Sequence, residues 1–82
     1  MKRSYKVVHW REHDKNTNPQ TIIEDTEKEA KSTAYWFAVY HHRAAEVYET
    51  ITNQQGQTIE ERILKYWHDN HGLQVETNPQ EA

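Results

Sequence analysis

The segment from residue 26 to residue 61 constrains the fold most, because it joins a helix start to a tight strand–turn–strand pattern. Thr26 and Glu29 have the spacing of a capping box, which satisfies free backbone N–H groups in the first turn of a helix. Residues 51–59 predict a β-hairpin, in which Gly56 supplies the positive φ that the loop needs. The sequence therefore predicts an α+β domain in which one main helix packs on one face of an antiparallel sheet.

The predicted order of elements is ββαββ, with a possible short C-terminal helix at about residues 64–70. A first strand is expected over residues 4–12 and a second over residues 21–24. Alternation of side chains in the first strand is interpreted as placing Val8 and Trp10 in the core. A chain of 82 residues is the size of one domain, which we expect over residues 1–72. The polar residues 73–82 are expected to form a flexible tail.

The helix allows a second interpretation. Ala30, Ala34, Phe37 and His41 follow helical spacing, and the same spacing continues to Ile51. One long helix over residues 26–52, in a ββαα arrangement, is therefore the alternative fold. Residues 46–52 also alternate and are rich in β-branched and aromatic side chains, which favours a strand after a helix that ends near residue 43.

Composition limits the chemistry that the chain can perform. It contains no cysteine, so disulfides, thiolate zinc sites and cysteine nucleophiles are excluded. The formal net charge of −3 is too balanced for a general nucleic-acid binder. No long apolar run or signal-peptide pattern is present, and a cytoplasmic location is expected. No arrangement of general acid, base and nucleophile stands out, and we expect a protein that is not an enzyme and carries no cofactor.

The strongest functional signal is the run of non-charged residues from Tyr35 to Tyr40. A helix turns about 100° per residue, so these side chains cannot all face one sheet. Tyrosine and tryptophan carry much of the binding energy at protein interfaces. We therefore predict a protein-binding surface, serving self-association or a heterologous partner. Its candidate residues are Tyr35, Trp36, Val39, Tyr40, Tyr66 and Trp67.

Two other kinds of site have partial support. Lys6, Trp10 and Arg11 combine cations with an aromatic ring on the first strand, which is typical of single-stranded nucleic-acid binding. His68 and His71 are three residues apart and would share one face of a helix, where they could ligate zinc or nickel. Both remain alternatives to the protein-binding hypothesis.

The layout of two strands, a capped helix and a terminal hairpin resembles several small bacterial and phage domains. The resemblance is carried by residues 25–30 at the helix start and by residues 46–56 in the hairpin. Some phage-encoded anti-CRISPR inhibitors look like this too. The resemblance implies a small accessory protein of a phage or mobile element that acts as an inhibitor or adaptor by binding a larger machine, and it transfers no functional residue.

Overall fold

The computed structural model describes residues 2–10 and 19–77. Five strands and one helix follow each other in the order ββαβββ, and the strands form one antiparallel sheet with the order β2-β1-β3-β4-β5. The elements are β1 Lys2–Trp10, β2 Gln20–Glu24, α1 Glu27–His41, β3 Ala44–Thr52, β4 Thr58–Asp69 and β5 Gly72–Thr77. The predicted α+β class is confirmed, and the ββαββ order is extended by one strand.

Both ends of α1 have well-defined caps. The Thr26 hydroxyl accepts a hydrogen bond from the Glu29 backbone N–H (3.1 Å) and donates one to the Glu29 carboxylate (2.9 Å). At the other end, His42 adopts a left-handed conformation (φ 51°) and its N–H donates to the Phe37 carbonyl. Among the described residues, no helix has the length and apolar character needed to cross a membrane.

The residues after His42 form a strand rather than more helix. All of Ala44–Thr52 belongs to β3, which pairs with β1 on one side and with β4 on the other. The single long helix over residues 26–52 is therefore not supported. The β3–β4 turn is the predicted hairpin: Gly56 has φ 82°, and the Asn53 side-chain oxygen accepts from the N–H groups of Gln55 and Gln57.

The C-terminal part of the chain differs from the prediction. The short helix expected near residues 64–70 is wrong, because β4 continues to Asp69 and then turns through Gly72 (φ 98°). The expected polar tail is wrong for residues 73–77, which belong to β5. Here Leu73 and Val75 alternate with polar residues and pair with β4. The rest of the expected tail, residues 78–82, lies outside the described residues.

The core lies between α1 and one face of the sheet. Val7 of β1 and Val47 of β3 are directly opposite each other and fully buried. The helix contributes three fully buried side chains to this layer, Ala30, Ala34 and Ala38.

The predicted core face of β1 is wrong. Tyr5, Val7 and His9 point toward α1, whereas Val8 and Trp10 lie on the other side of the sheet. We call that side, which carries no helix, the open face. It is built from alternate residues of the five strands, including Lys6, Tyr48 and Arg62.

Candidate functional site

The outward side of α1 carries exposed aromatic rings. Tyr35, Trp36 and Tyr40 are 49%, 48% and 70% exposed, although they are among the largest side chains of the helix. The reason is the alanine stripe at i, i+4 spacing, which occupies the side of the helix that meets the sheet. We call these three rings, together with the neighbouring Tyr66 of β4, the aromatic face.

Trp36 lies at the centre of a group of rings. Its ring centroid is 4.3 Å from that of His41, 5.1 Å from that of Phe37 and 6.4 Å from that of Tyr40. Edge-to-face and tilted arrangements at such distances are favourable for aromatic pairs. Contacts on several sides hold the exposed indole in a defined orientation, which reduces the conformational entropy that a partner would have to remove.

Two shallow surface depressions, each of about 420 Å³, flank Trp36. Trp36 and Ser32 line both of them and form the ridge between them. The other residues lining the first depression are Lys31, Tyr35, Tyr40 and Tyr66. The other residues lining the second are Ile22, Glu24, Thr33 and Phe37. The surface can therefore receive side chains of a partner on either side of one central ring.

The first depression joins the helix to the sheet through two tyrosines. The Tyr35 and Tyr66 rings meet edge to face with centroids 5.8 Å apart. Burial of Tyr66, followed by the effect of Tyr35, raises the pKa of the Tyr66 hydroxyl above its usual value, and Lys31 opposes this shift. Tyr66 is therefore a neutral hydrogen-bonding group at physiological pH. Lys31 is itself paired with Glu27 at 2.7 Å.

The structure brings together most of the predicted protein-binding residues but not all. Val39 lies on α1 and is partly buried. Trp67 lies on the open face, where the Lys65 ammonium is 5.4 Å from its ring centroid. The prediction had assumed a helical turn for this segment, and a strand sends Tyr66 and Trp67 to opposite sides of the sheet. Trp67 is therefore separate from the aromatic face.

The candidate nucleic-acid residues lie on the open face or outside the described residues. The Lys6 ammonium is 3.0 Å from the Glu60 carboxylate and 5.1 Å from the centroid of the Tyr48 ring. Trp10 is partly buried, and Arg11 falls outside the described residues. The Arg62 guanidinium on the same face contacts the carboxylates of Glu46 and Glu76. These two cations are thus already matched by carboxylates of the chain.

The two candidate metal ligands do not share a helix face. His68 is in β4, and its Nε2 is 2.6 Å from the Ala38 carbonyl, so we assign the proton to this nitrogen. His71 lies in the following turn, where its backbone N–H donates to the Asp69 carboxylate. Within residues 2–10 and 19–77, no group of three or more histidine, cysteine, aspartate or glutamate side chains could hold a metal ion.

Several residues near the site were not found by sequence reasoning. Ser32 and Ile22 line the depressions but carry no pattern that distinguishes them from other surface residues. His9 is not among the candidate residues either, yet it is only 2% exposed and stacks on Phe37. Alternation with Tyr5 and Val7 was the signal that could have placed it in the core.

Comparisons with protein families, curated proteins and solved structures gave no match to this chain.

Proposed function

We propose that this chain is a non-catalytic binding module whose aromatic face docks a heterologous protein. The observation that carries the proposal is that α1 buries small side chains against the sheet and exposes large aromatic ones. Alanines fill the helix–sheet contact, and three large rings outside the alanine stripe are about half exposed or more. An exposed aromatic surface of this kind is typical of protein interaction sites.

The chemistry of the aromatic face fits an apolar partner segment with a few polar groups. The rings of Tyr35, Trp36 and Tyr40 offer apolar contact area, and the two tyrosine hydroxyls and the indole N–H can form hydrogen bonds at its rim. The one lysine that lines the first depression, Lys31, is paired within the helix. Recognition would therefore depend on shape and apolar contact more than on charge.

The proposal keeps the two roles implied by the resemblance to small phage and bacterial domains, an inhibitor or an adaptor of a larger assembly. A two-layer domain with shallow depressions can cover a site on a partner, but it offers little enclosed volume for a small substrate. Binding to single-stranded nucleic acid has less support, because the Lys6 ammonium is paired with Glu60.

The test compares two variants of the aromatic face with a matched control. Trp36→Ser and Tyr40→Ser each remove an exposed ring, and Ile59→Ser removes a side chain that is 66% exposed on β4, near the β3–β4 turn. The tagged proteins are used to capture partners from the native cell. Loss of a central interface residue costs about 2 kcal/mol, so capture by either ring variant should weaken roughly 30-fold.

The control variant decides whether a captured protein is a specific partner of the aromatic face. A specific partner must be retained by Ile59→Ser and lost with both ring variants, while circular dichroism shows all three folded. If every captured protein is retained equally by all three variants, the aromatic face is not the binding site and the proposal is wrong.

A further inference from the structure

The sheet ends at β5, whose outer side has no strand partner among the described residues. β5 is last in the order β2-β1-β3-β4-β5 and pairs with β4 alone within that part of the chain. The backbone N–H and C=O groups on the outer side of an edge strand can pair with another strand. Proteins usually discourage such pairing with charged side chains (especially lysine), proline, a bulge or a very short strand.

β5 has little of this protection. Its six residues, Gly-Leu-Gln-Val-Glu-Thr, include no lysine and no proline, and its register with β4 is regular throughout. The single charged residue, Glu76, is already held by the Arg62 guanidinium. The opposite edge, β2, has five residues and follows Pro19 directly.

An apolar strip leads from the helix to this edge. Val75 lies directly opposite Tyr66 on the same side of the sheet, and Tyr66 contacts the ring of Tyr35. The helix packs mainly on β1 and β3, two or more strands away from β5. Val75 is therefore 52% exposed at the outer end of the strip.

We propose that β5 pairs antiparallel with β5 of a second copy of this chain, so that the two sheets become one. A two-fold axis perpendicular to the sheet leaves each side chain on the same face of the joined sheet. Residues that face each other across the axis therefore both have odd numbers or both have even numbers. Val75 can then lie opposite Val75 of the copy, which joins the two apolar strips across the axis.

This register also suits the polar residues of the strand. With Val75 on the axis, Gln74 faces Glu76 of the copy, and an amide can donate to a carboxylate. No two glutamates of the β5 pair then face each other, whereas a shift that centred the pair on Glu76 would oppose two carboxylates. A second copy thus complements β5 in its charged and apolar side chains as well as in its backbone hydrogen bonds. An unrelated strand would complement only the backbone hydrogen bonds.

The dimer goes beyond the proposed function and does not depend on it. Both helices would lie on the same side of the joined sheet, so two aromatic faces would be presented together. A partner with two or more sites could engage both, and the second contact would benefit from a high effective concentration.

The first test measures mass by sedimentation equilibrium for the unchanged chain, Val75→Lys and the matched control Ile23→Lys. Ile23 is 60% exposed on the opposite edge strand. Lysines at position 75 would face each other across the axis and repel. The unchanged chain and Ile23→Lys should have twice the mass of one chain, and Val75→Lys should have the mass of a single chain.

The second test uses the absence of cysteine in the natural sequence. Residues that face each other in an antiparallel pair have Cβ atoms about 4.5–5.5 Å apart, close to the range that a disulfide spans. Val75→Cys should therefore give a covalent dimer on mild oxidation, whereas Ile23→Cys should give much less. This readout also holds if Val75→Lys fails to fold.

Three results would overturn the inference: a monomeric unchanged chain at the highest attainable concentration, a dimer that persists in folded Val75→Lys, or equal cross-linking of both cysteine variants. A dimer lost with Trp36→Ser but kept in Val75→Lys would place the contact on the aromatic face. Partner capture by the aromatic face can be measured separately with monomeric Val75→Lys, so failure of the dimer does not remove the proposed function.

Discussion

The imidazole of His9 lies almost flat against the ring of Phe37, with centroids 3.7 Å apart and planes inclined by 14°. His9 is 2% exposed, and its Nδ1 has no hydrogen-bond partner among the described residues. Burial, and then the positive charges of Arg43 and His41, lower the pKa of the imidazole below its usual 6.5. Protonation of this imidazole is therefore less favourable in the folded protein than in water.

The first prediction is a loss of stability in mild acid. Below pH 6.5 the unfolded chain binds a proton at His9 that the folded protein binds only at lower pH. The free energy of unfolding therefore decreases as the pH is lowered. The slope contributed by this one residue lies between the two pKa values, cannot exceed about 1.4 kcal/mol per pH unit, and vanishes above and below them. Urea unfolding measured across this range checks it.

His9→Phe provides the control, because a phenyl ring can stack on Phe37 without titrating. The variant should lose this part of the pH dependence. If acidification lowers the free energy of unfolding of His9→Phe as steeply as that of the unchanged chain, His9 is not the responsible group.

The second prediction concerns the closeness of the helix to the sheet. Ala34 is fully buried between α1 and the sheet, so Ala34→Leu has no space and should lower the free energy of unfolding by about 1–3 kcal/mol. Lys28→Leu introduces the same side chain at an exposed position of the helix and should change stability little. Equal stability of the two variants, measured by chemical denaturation, would contradict the tight helix–sheet contact.

The third prediction concerns the start of α1. Thr26→Ala removes the hydroxyl that accepts from the Glu29 N–H, and it should cost about 1 kcal/mol of stability. Thr26→Ser keeps an oxygen in the same place and should restore most of the loss. A Thr26→Ala variant with an unchanged melting temperature would show that the cap does not contribute to folding.

The fourth prediction is that zinc leaves the melting temperature unchanged. His68 directs its Nε2 at the Ala38 carbonyl, and the described residues bring no group of three ligands together. A ligand that binds only the native state must raise the melting temperature. A zinc-dependent increase that disappears in His68→Gln would revive the metal-binding alternative.

The parts of the fold that the sequence predicted are those determined by local contacts. The Thr26 cap and the Gly56 turn depend on hydrogen bonds within a few residues, and the structure contains both. Local contacts did not determine which side of β1 faces the core. Val7 and Val8 offer an apolar residue to either side, and the position of α1 decides between them.

In the C-terminal half, too, local sequence preference did not determine the structure. Leu64 to Trp67 suits either a helix or a strand by local preference, and pairing with both β3 and β5 makes it a strand. This choice also divides the predicted surface residues, because it keeps Tyr66 beside Tyr35 and sends Trp67 to the open face. Helix geometry indicated that the side chains from Tyr35 to Tyr40 cannot all face the sheet, but which rings are exposed depends on the alanine stripe that meets the sheet.

The alanine stripe of α1 has a consequence for how such a protein can change over time. Methyl groups fit the helix to the sheet, and Trp36 and Tyr40 lie outside the buried core. The residues that fit the helix to the sheet are therefore largely distinct from those of the proposed docking surface. Under the proposed docking role, substitutions of Trp36 and Tyr40 would change what the surface binds while the scaffold beneath it stays the same.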